Sequence, residues 1–250
     1  MKKFICASAV IAIITLFTTA IYSEDPAFMS RLDRANVLKT AEQITPEAYP
    51  DADSVLVDGH IHARYQANGT SVSIDESYLK ILTEKGRRAN KSFSMHFNQS
   101  YSSAEYIRAR IIKPSGTVTD INIRENASVA VSRGQMNMNI YNPNRKVYSL
   151  NIPGLQKDDI LYLVSRREVK KPRFKNSWVD YQIMEHTTPI KHYTYLVRGP
   201  ASLPLQKIQV RGKHRDKISF THNTDENGRV YRWEVRDMPR MFREPQMPAL

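Results

Sequence analysis

A mainly β fold is what this sequence predicts: an antiparallel β-sandwich of two sheets, or two β subdomains, with a short N-terminal helix. Three observations carry that expectation. Apolar and polar residues alternate with period two through most of the chain after Asp51, the spacing of a strand with one buried and one wet face. Turn signals recur between those runs, at Asn68-Gly69, Pro114-Ser115-Gly116, Pro153-Gly154 and Asn227-Gly228, and many short strands so punctuated read as a sandwich. Helical spacing is confined to Ala27 to Ile44, where Phe28, Leu32, Ala35, Leu38 and Ala41 recur every three to four residues.

Taken in order, the chain opens with Lys2-Lys3, the uncharged run Phe4 to Ile21, and small residues at Ala20 and Ser23. That order predicts a signal peptide over residues 1–23 and an exported, periplasmic or extracellular product. A retained membrane-spanning segment is the competing reading of the same run. Residues 24–48 form the helical segment, closed by Thr45-Pro46 because the residue before proline avoids helical geometry. The main module covers 49–248. Val55 and Val57, then Ile61, Ala63 and Tyr65, alternate with polar neighbours, and Asn68-Gly69 turns the chain back into Val72, Ile74 and Tyr78–Leu82. A break follows at Lys85-Gly86. Tyr106–Ile112 is a strand with a return near Val118 and Ile121, while Asn122 to Asn142 gives mixed signals and no assignment.

The stretch Lys146 to Val169 is expected to be a central hairpin, its two apolar runs folding back across Pro153-Gly154. Trp178–Met184, Tyr193–Val197, Lys207–Val210, Ile218–Thr221 and Val230–Val235 complete the strands, with Tyr231, Trp233 and Val235 on one face.

Charge is unevenly placed. Of the 37 Lys and Arg residues, 22 lie after Ala130 against 11 Asp and Glu, chiefly in Arg166–Lys175 and Lys207–Lys217. A solvated face explains such runs, and so does an anionic partner such as envelope polysaccharide or phospholipid. Nucleic acid is not expected in an exported chain without a recognition motif. The single cysteine, Cys6, lies in the apolar run, so the mature chain has no thiol nucleophile, disulfide or thiolate metal site.

Candidate chemistry is sparse. No nucleophile elbow, phosphate loop, zinc-peptidase or dinucleotide motif is present, so no catalytic residue and no cofactor is expected. His60 and His62, two apart on a strand, share a face as a two-imidazole metal site requires. Arg64 continues their row, which favours a solvent-facing edge and no metal. Asp158-Asp159 read as turn residues in preference to paired carboxylates or calcium ligands. The binding candidates are Arg166, Arg167, Lys170, Lys171, Arg173, Lys175 and Trp178, whose mix of cations and aromatic surface suits an anionic polymer. A charged edge strand that resists aggregation is the plainer account.

Several pieces in fixed order carry a family resemblance: Tyr49 to Val55, Ile81 to Arg87, Ala109 to Val118, Pro153-Gly154-Leu155, Asp159-Ile160, Thr188-Pro189-Ile190, Tyr231-Arg232-Trp233 and Arg243 to Pro248. The chain resembles the bacterial domain of unknown function found N-terminal to transglutaminase-like, cysteine peptidase-like domains. Asp158 stands where that family usually has glycine. The resemblance implies a non-catalytic accessory module that docks with such a peptidase domain or binds its substrate, the catalytic half being absent. A free-standing envelope-binding protein that uses the basic second half is the alternative.

Overall fold

The computed structural model describes residues 30–134 and 141–242; the expected signal peptide, Ala27 to Met29 and the Arg243 to Pro248 motif lie outside them. Helix α1 (Arg34–Glu42) precedes β1 (Ser54–Tyr65) and β2 (Ser71–Ile81). Then come α2 (Glu84–Ala89), β3 (Ser92–Asn98), β4 (Ser102–Ile112), β5 (Val118–Asp120), α3 (Ile123–Asn126), β6 (Ala127–Val131) and β7 (Arg145–Asn151). Strands β8 (Ile160–Val169), β9 (Ile190–Gly199), β10 (Ile218–Asp225) and β11 (Gly228–Met238) complete the chain. Eight strands form one sheet in the order β10-β11-β9-β1-β2-β8-β4-β5, and β3-β7-β6 form a second.

The period-two pattern accounts for how the layers stack. Ile81, Ala109, Ile111 and Leu161 face Met95 and Leu150 of the small sheet, closing one sandwich core. On the same face of the large sheet, Tyr195, Val197, Tyr231, Trp233 and Val235 build a second core. Among the described residues no sheet covers that half; it is roofed by Trp178, Met184, Leu205, Ile208 and Val210 from irregular chain. The opposite face is capped near its middle by α1, whose Val37 and Ala41 pack with Ile44 on Val55, Val57, Tyr78 and Val164. Asp33 starts this helix by accepting from the Ala35 and Asn36 amides, the N-cap role of a short acid.

Several expectations change. The helix begins at Arg34 because Asp33 caps it there, and the preceding Ser30 and Arg31 are drawn off to bond Glu76. The central hairpin does not form. Strand β7 pairs with β3 and β6 in the small sheet, whereas β8 pairs with β2 and β4 in the large one. Proline and glycine set the turn locally, with Gly154 at φ 78°, but partners are chosen by long-range apolar fit. The intervening residues are also anchored elsewhere: the Asp158 amide donates to the Ile81 carbonyl and the Ile81 amide to that of Asp159. The connection therefore carries the chain from one layer to the other.

Trp178–Met184 and Lys207–Val210 run without forming a ladder. Both turn alternate side chains onto the second core, so a two-residue period arises from one-sided burial alone. Strands β1 and β9 pair in parallel, which makes the large sheet mixed. The unassigned Asn122 to Asn142 contains α3 and β6, with 135–140 outside the described residues.

Candidate functional site

The basic segment does not present one surface. Arg166 and Arg167 follow each other along β8 and so project to opposite faces. Arg166 pairs with Glu105 at 3.5 Å and Glu168 at 3.7 Å. Arg167 donates to the His96 carbonyl across the sandwich at 3.1 Å. It also lies near Asp75, whose carboxyl burial pushes up to about 6 against the pull of that guanidinium. Lys170 and Lys171 are exposed and held in place by their amides, which both donate to the Tyr101 carbonyl. Arg173 sits 5.6 Å over the Tyr101 ring, a cation–π contact, and Lys175 is exposed. Trp178 is turned inward and stacked on Tyr65 at 4.6 Å, an 11° angle between the rings. Its role is to pack the second core.

His60 and His62 do share a face, yet water does not cover it. Ser30 and Arg31 cross above, and Ser30 Oγ, the Arg31 amide and Tyr162 OH all donate to the buried Glu76 carboxylate. Glu76 is the cross-strand partner of His60. Burial pushes both imidazoles down to about 4, opposed at His60 by Glu76 and reinforced at His62 by Arg31, Arg64 and Arg198. They are neutral near pH 7. Among the described residues no group of three or more His, Cys, Asp or Glu side chains could hold a metal.

A third histidine escaped notice in the sequence. His192 on β9 has Nδ1 2.7 Å from Asp58 and Nε2 3.1 Å from Glu234. The hydrogen bond to Asp58 raises its pKa, with Glu234 adding to the effect against burial and Arg236. Both nitrogens are engaged, so this imidazole bridges three strands and has no free nitrogen to act as a base. Only the strand order brings Asp58, His192 and Glu234 together. Nothing in their spacing signals it.

An apolar opening lies where ladder bonds stop. Between the unladdered segments and β9–β11 is a slot of about 460 Å³ whose walls include Trp178, Met184, Tyr195, Ile208, Val210 and Trp233. Tyr195 OH donates to Asp180 at 2.7 Å and the Leu205 amide donates to Tyr231 OH at 3.0 Å, so both walls are fixed to the sheet. The Glu185 carboxylate accepts from the His214 amide at 2.6 Å and ties the first wall to the chain just after the second. On the outer side of the first wall Val179 is 91% and Tyr181 80% exposed. Such a row of bare apolar side chains beside an apolar slot is characteristic of a protein-binding surface. Met241 also lines the slot, its amide donating to the His186 carbonyl at 2.8 Å. Phe242, the last described residue, lines a neighbouring hollow with Tyr49, Pro189 and Met238 instead. Sequence inspection found the apolar residues of both segments but assigned them to strands.

The fold has a counterpart among solved structures. A crystal structure of a candidate protease from Parabacteroides distasonis matches with a TM-score of 0.66 at 13% identity, over 79% of this chain and 38% of that one. The chain thus spans well under half the length of that protein, and at this identity the likeness is one of fold. Leukotriene A4 hydrolase from Saccharomyces cerevisiae matches at a TM-score of 0.36 and 14% identity, over 80% of this chain and 31% of the other. An M1 zinc metallopeptidase from Deinococcus radiodurans gives 0.32 and 10%, over 74% and 39%. No curated protein matches the chain. A family model does, for a domain of unknown function with a solved structure, over residues 67–242. On that match the chain belongs to the DUF3857 family.

Proposed function

We propose that this chain is an exported, non-catalytic β module that docks a transglutaminase-like peptidase domain through the slot between Trp178–Glu185 and Leu205–Gly212. The observation that carries the reading is the slot itself: apolar, walled by fixed but unladdered backbone, and edged by exposed Val179 and Tyr181. Met241 supports it, because this apolar side chain, beyond the last strand, also lines the slot. The fold likeness to a protein more than twice as long, described as a candidate protease, supports a module that works beside a larger partner. Apolar docking of this kind resists salt, whereas contact through exposed cations does not.

Calorimetric titration of the mature chain with an isolated transglutaminase-like peptidase domain tests this. Binding is expected to change less than about threefold between about 0.05 and 0.5 M salt. Val179→Asp with Tyr181→Asp is expected to weaken it at least about tenfold, or about 1.4 kcal/mol. Charge reversal at Lys170, Lys171 and Arg173 should leave it unchanged. If salt or the charge reversals abolish binding and the slot variants do not, the docking reading fails. The exposed Lys170 and Lys171 would then favour attachment to anionic envelope glycan or lipid.

A further inference from the structure

On the face opposite the slot, the parallel pairing of β1 and β9 places Arg64 beside Arg198 as direct register partners. Like charges side by side on neighbouring strands repel. Arg198 is neutralised by Asp225 at 2.7 Å. Arg64 has no carboxylate within ion-pair distance among the described residues, and neither has the Arg31 side chain, which reaches His62 Nδ1 at 3.4 Å. All three guanidiniums act on His62 and help to depress it. They converge from the chain before α1, from β1 and from β9 on a pocket of about 460 Å³, which Gln66 and Asn227 also line. A protein gains nothing in stability by gathering three guanidiniums around one carboxylate; an anion in the pocket would remove the excess.

Three forks arriving from three directions offer more donors than a planar carboxylate can use, and they match the several oxygens of a phosphate. The pocket shares Arg64 and Gln66 with an adjoining hollow of about 260 Å³ whose lining includes Thr70, Ser71, Glu168 and Lys170. Hydroxyls, an amide and both signs of charge suit a hydroxylated carrier such as a sugar, and its size admits one ring. We infer that Arg31, Arg64 and Arg198 form a binding site for a phosphate monoester carried on a sugar, with the phosphate between the guanidiniums and the sugar toward Thr70 and Lys170. The site lies on the other face from the docking slot and is independent of it.

The test measures binding of inorganic phosphate, glucose 6-phosphate, glucose and vesicles containing phosphatidic acid to the mature chain by calorimetry, at ionic strength matched with chloride. Glucose 6-phosphate is expected to bind at least about fivefold more tightly than inorganic phosphate, and glucose not to bind. Arg64→Gln and Arg198→Gln should each weaken phosphate binding about tenfold or more, while Lys213→Gln, remote from the pocket, should not. Arg64→Gln should also raise the melting temperature of the unliganded chain, because it relieves the repulsion with Arg198; a structural arginine would lower it. Absence of phosphate binding above the chloride control, or a destabilised Arg64→Gln that binds normally, overturns the site. Vesicle binding without glucose 6-phosphate binding overturns the sugar and leaves a lipid headgroup as the carrier.

Discussion

Three histidines on one face of the large sheet respond to pH in opposite directions. His60 and His62 titrate near 4 in the folded chain against 6.5 unfolded, so the unfolded state takes up their protons first. Stability is therefore lost as pH falls from about 6.5 to 4, by up to about 1.4 kcal/mol per pH unit for each residue. His192 has a raised folded value, so its contribution is present below pH 6.5 and fades as pH rises through that value. Urea unfolding from pH 8 to pH 4 should show the wild type weakening on the acid side. The pair His60→Gln and His62→Gln should flatten that slope. His192→Gln should cost about 1–2 kcal/mol at pH 6 and less at pH 8. An unchanged acid slope in the double variant would mean that other groups govern it. The row His60, His62, Arg64 was legible as one face, but its covering by Ser30 and Arg31 was not, since those residues lie some thirty positions away.

At the scale of elements, the connection from Pro153 to Asp159 shows local and global signals diverging. Pro153, Gly154 and the acidic pair correctly mark a turn, and Asp158 adopts φ 70° at the position where the resembling family has glycine. Asp159 is 1% exposed and accepts from the Lys113 ammonium at 2.8 Å and the Gln156 amide at 2.7 Å. These contacts lock the loop that passes between the layers. Left-handed backbone costs an ordinary side chain about 1–2 kcal/mol and aspartate less. Asp158→Gly is thus expected to be neutral or stabilising by up to about 1 kcal/mol, and Asp158→Val to cost about 1–2 kcal/mol. Thermal unfolding measures both; equal stability of the glycine and valine variants would show that the turn does not depend on this conformation.

For the whole molecule, one large sheet serves three apolar clusters and two open surfaces. Strands β1, β2 and β8 lie at its middle and are covered in part on both faces. The slot walls 178–185 and 205–212 lie outside the ladders, and β5 and β10 are edges. Amide hydrogen exchange should follow that order, with β1, β2 and β8 slowest and Val179–Met184 among the fastest. Protection of Val179–Met184 equal to that of β1 would contradict an open, unladdered wall. The relation between Gly199 and Tyr65 illustrates how tightly the second core is drawn to this frame. A Cβ on Gly199 would lie 2.0 Å from the Tyr65 ring, while Tyr65 OH donates to the Leu203 carbonyl at 2.6 Å.

By itself the sequence determined the β class, the position of most strands, the helix before the first strand and the turns, because each rests on periodicity or on φ preferences within a few residues. It also showed where cations and apolar rows lie along the chain. Only the tertiary structure decided which strands pair beyond the hairpins closed at Asn68-Gly69, Pro114-Ser115-Gly116 and Asn227-Gly228. That choice separated β7 from β8, joined β1 to β9 in parallel, brought Arg64 beside Arg198 and left Val179 and Tyr181 bare. Pairing of strands distant in sequence depends on which faces fit and bury together, and no local pattern encodes it. The fold was therefore largely readable residue by residue, whereas its candidate sites exist only where distant strands meet.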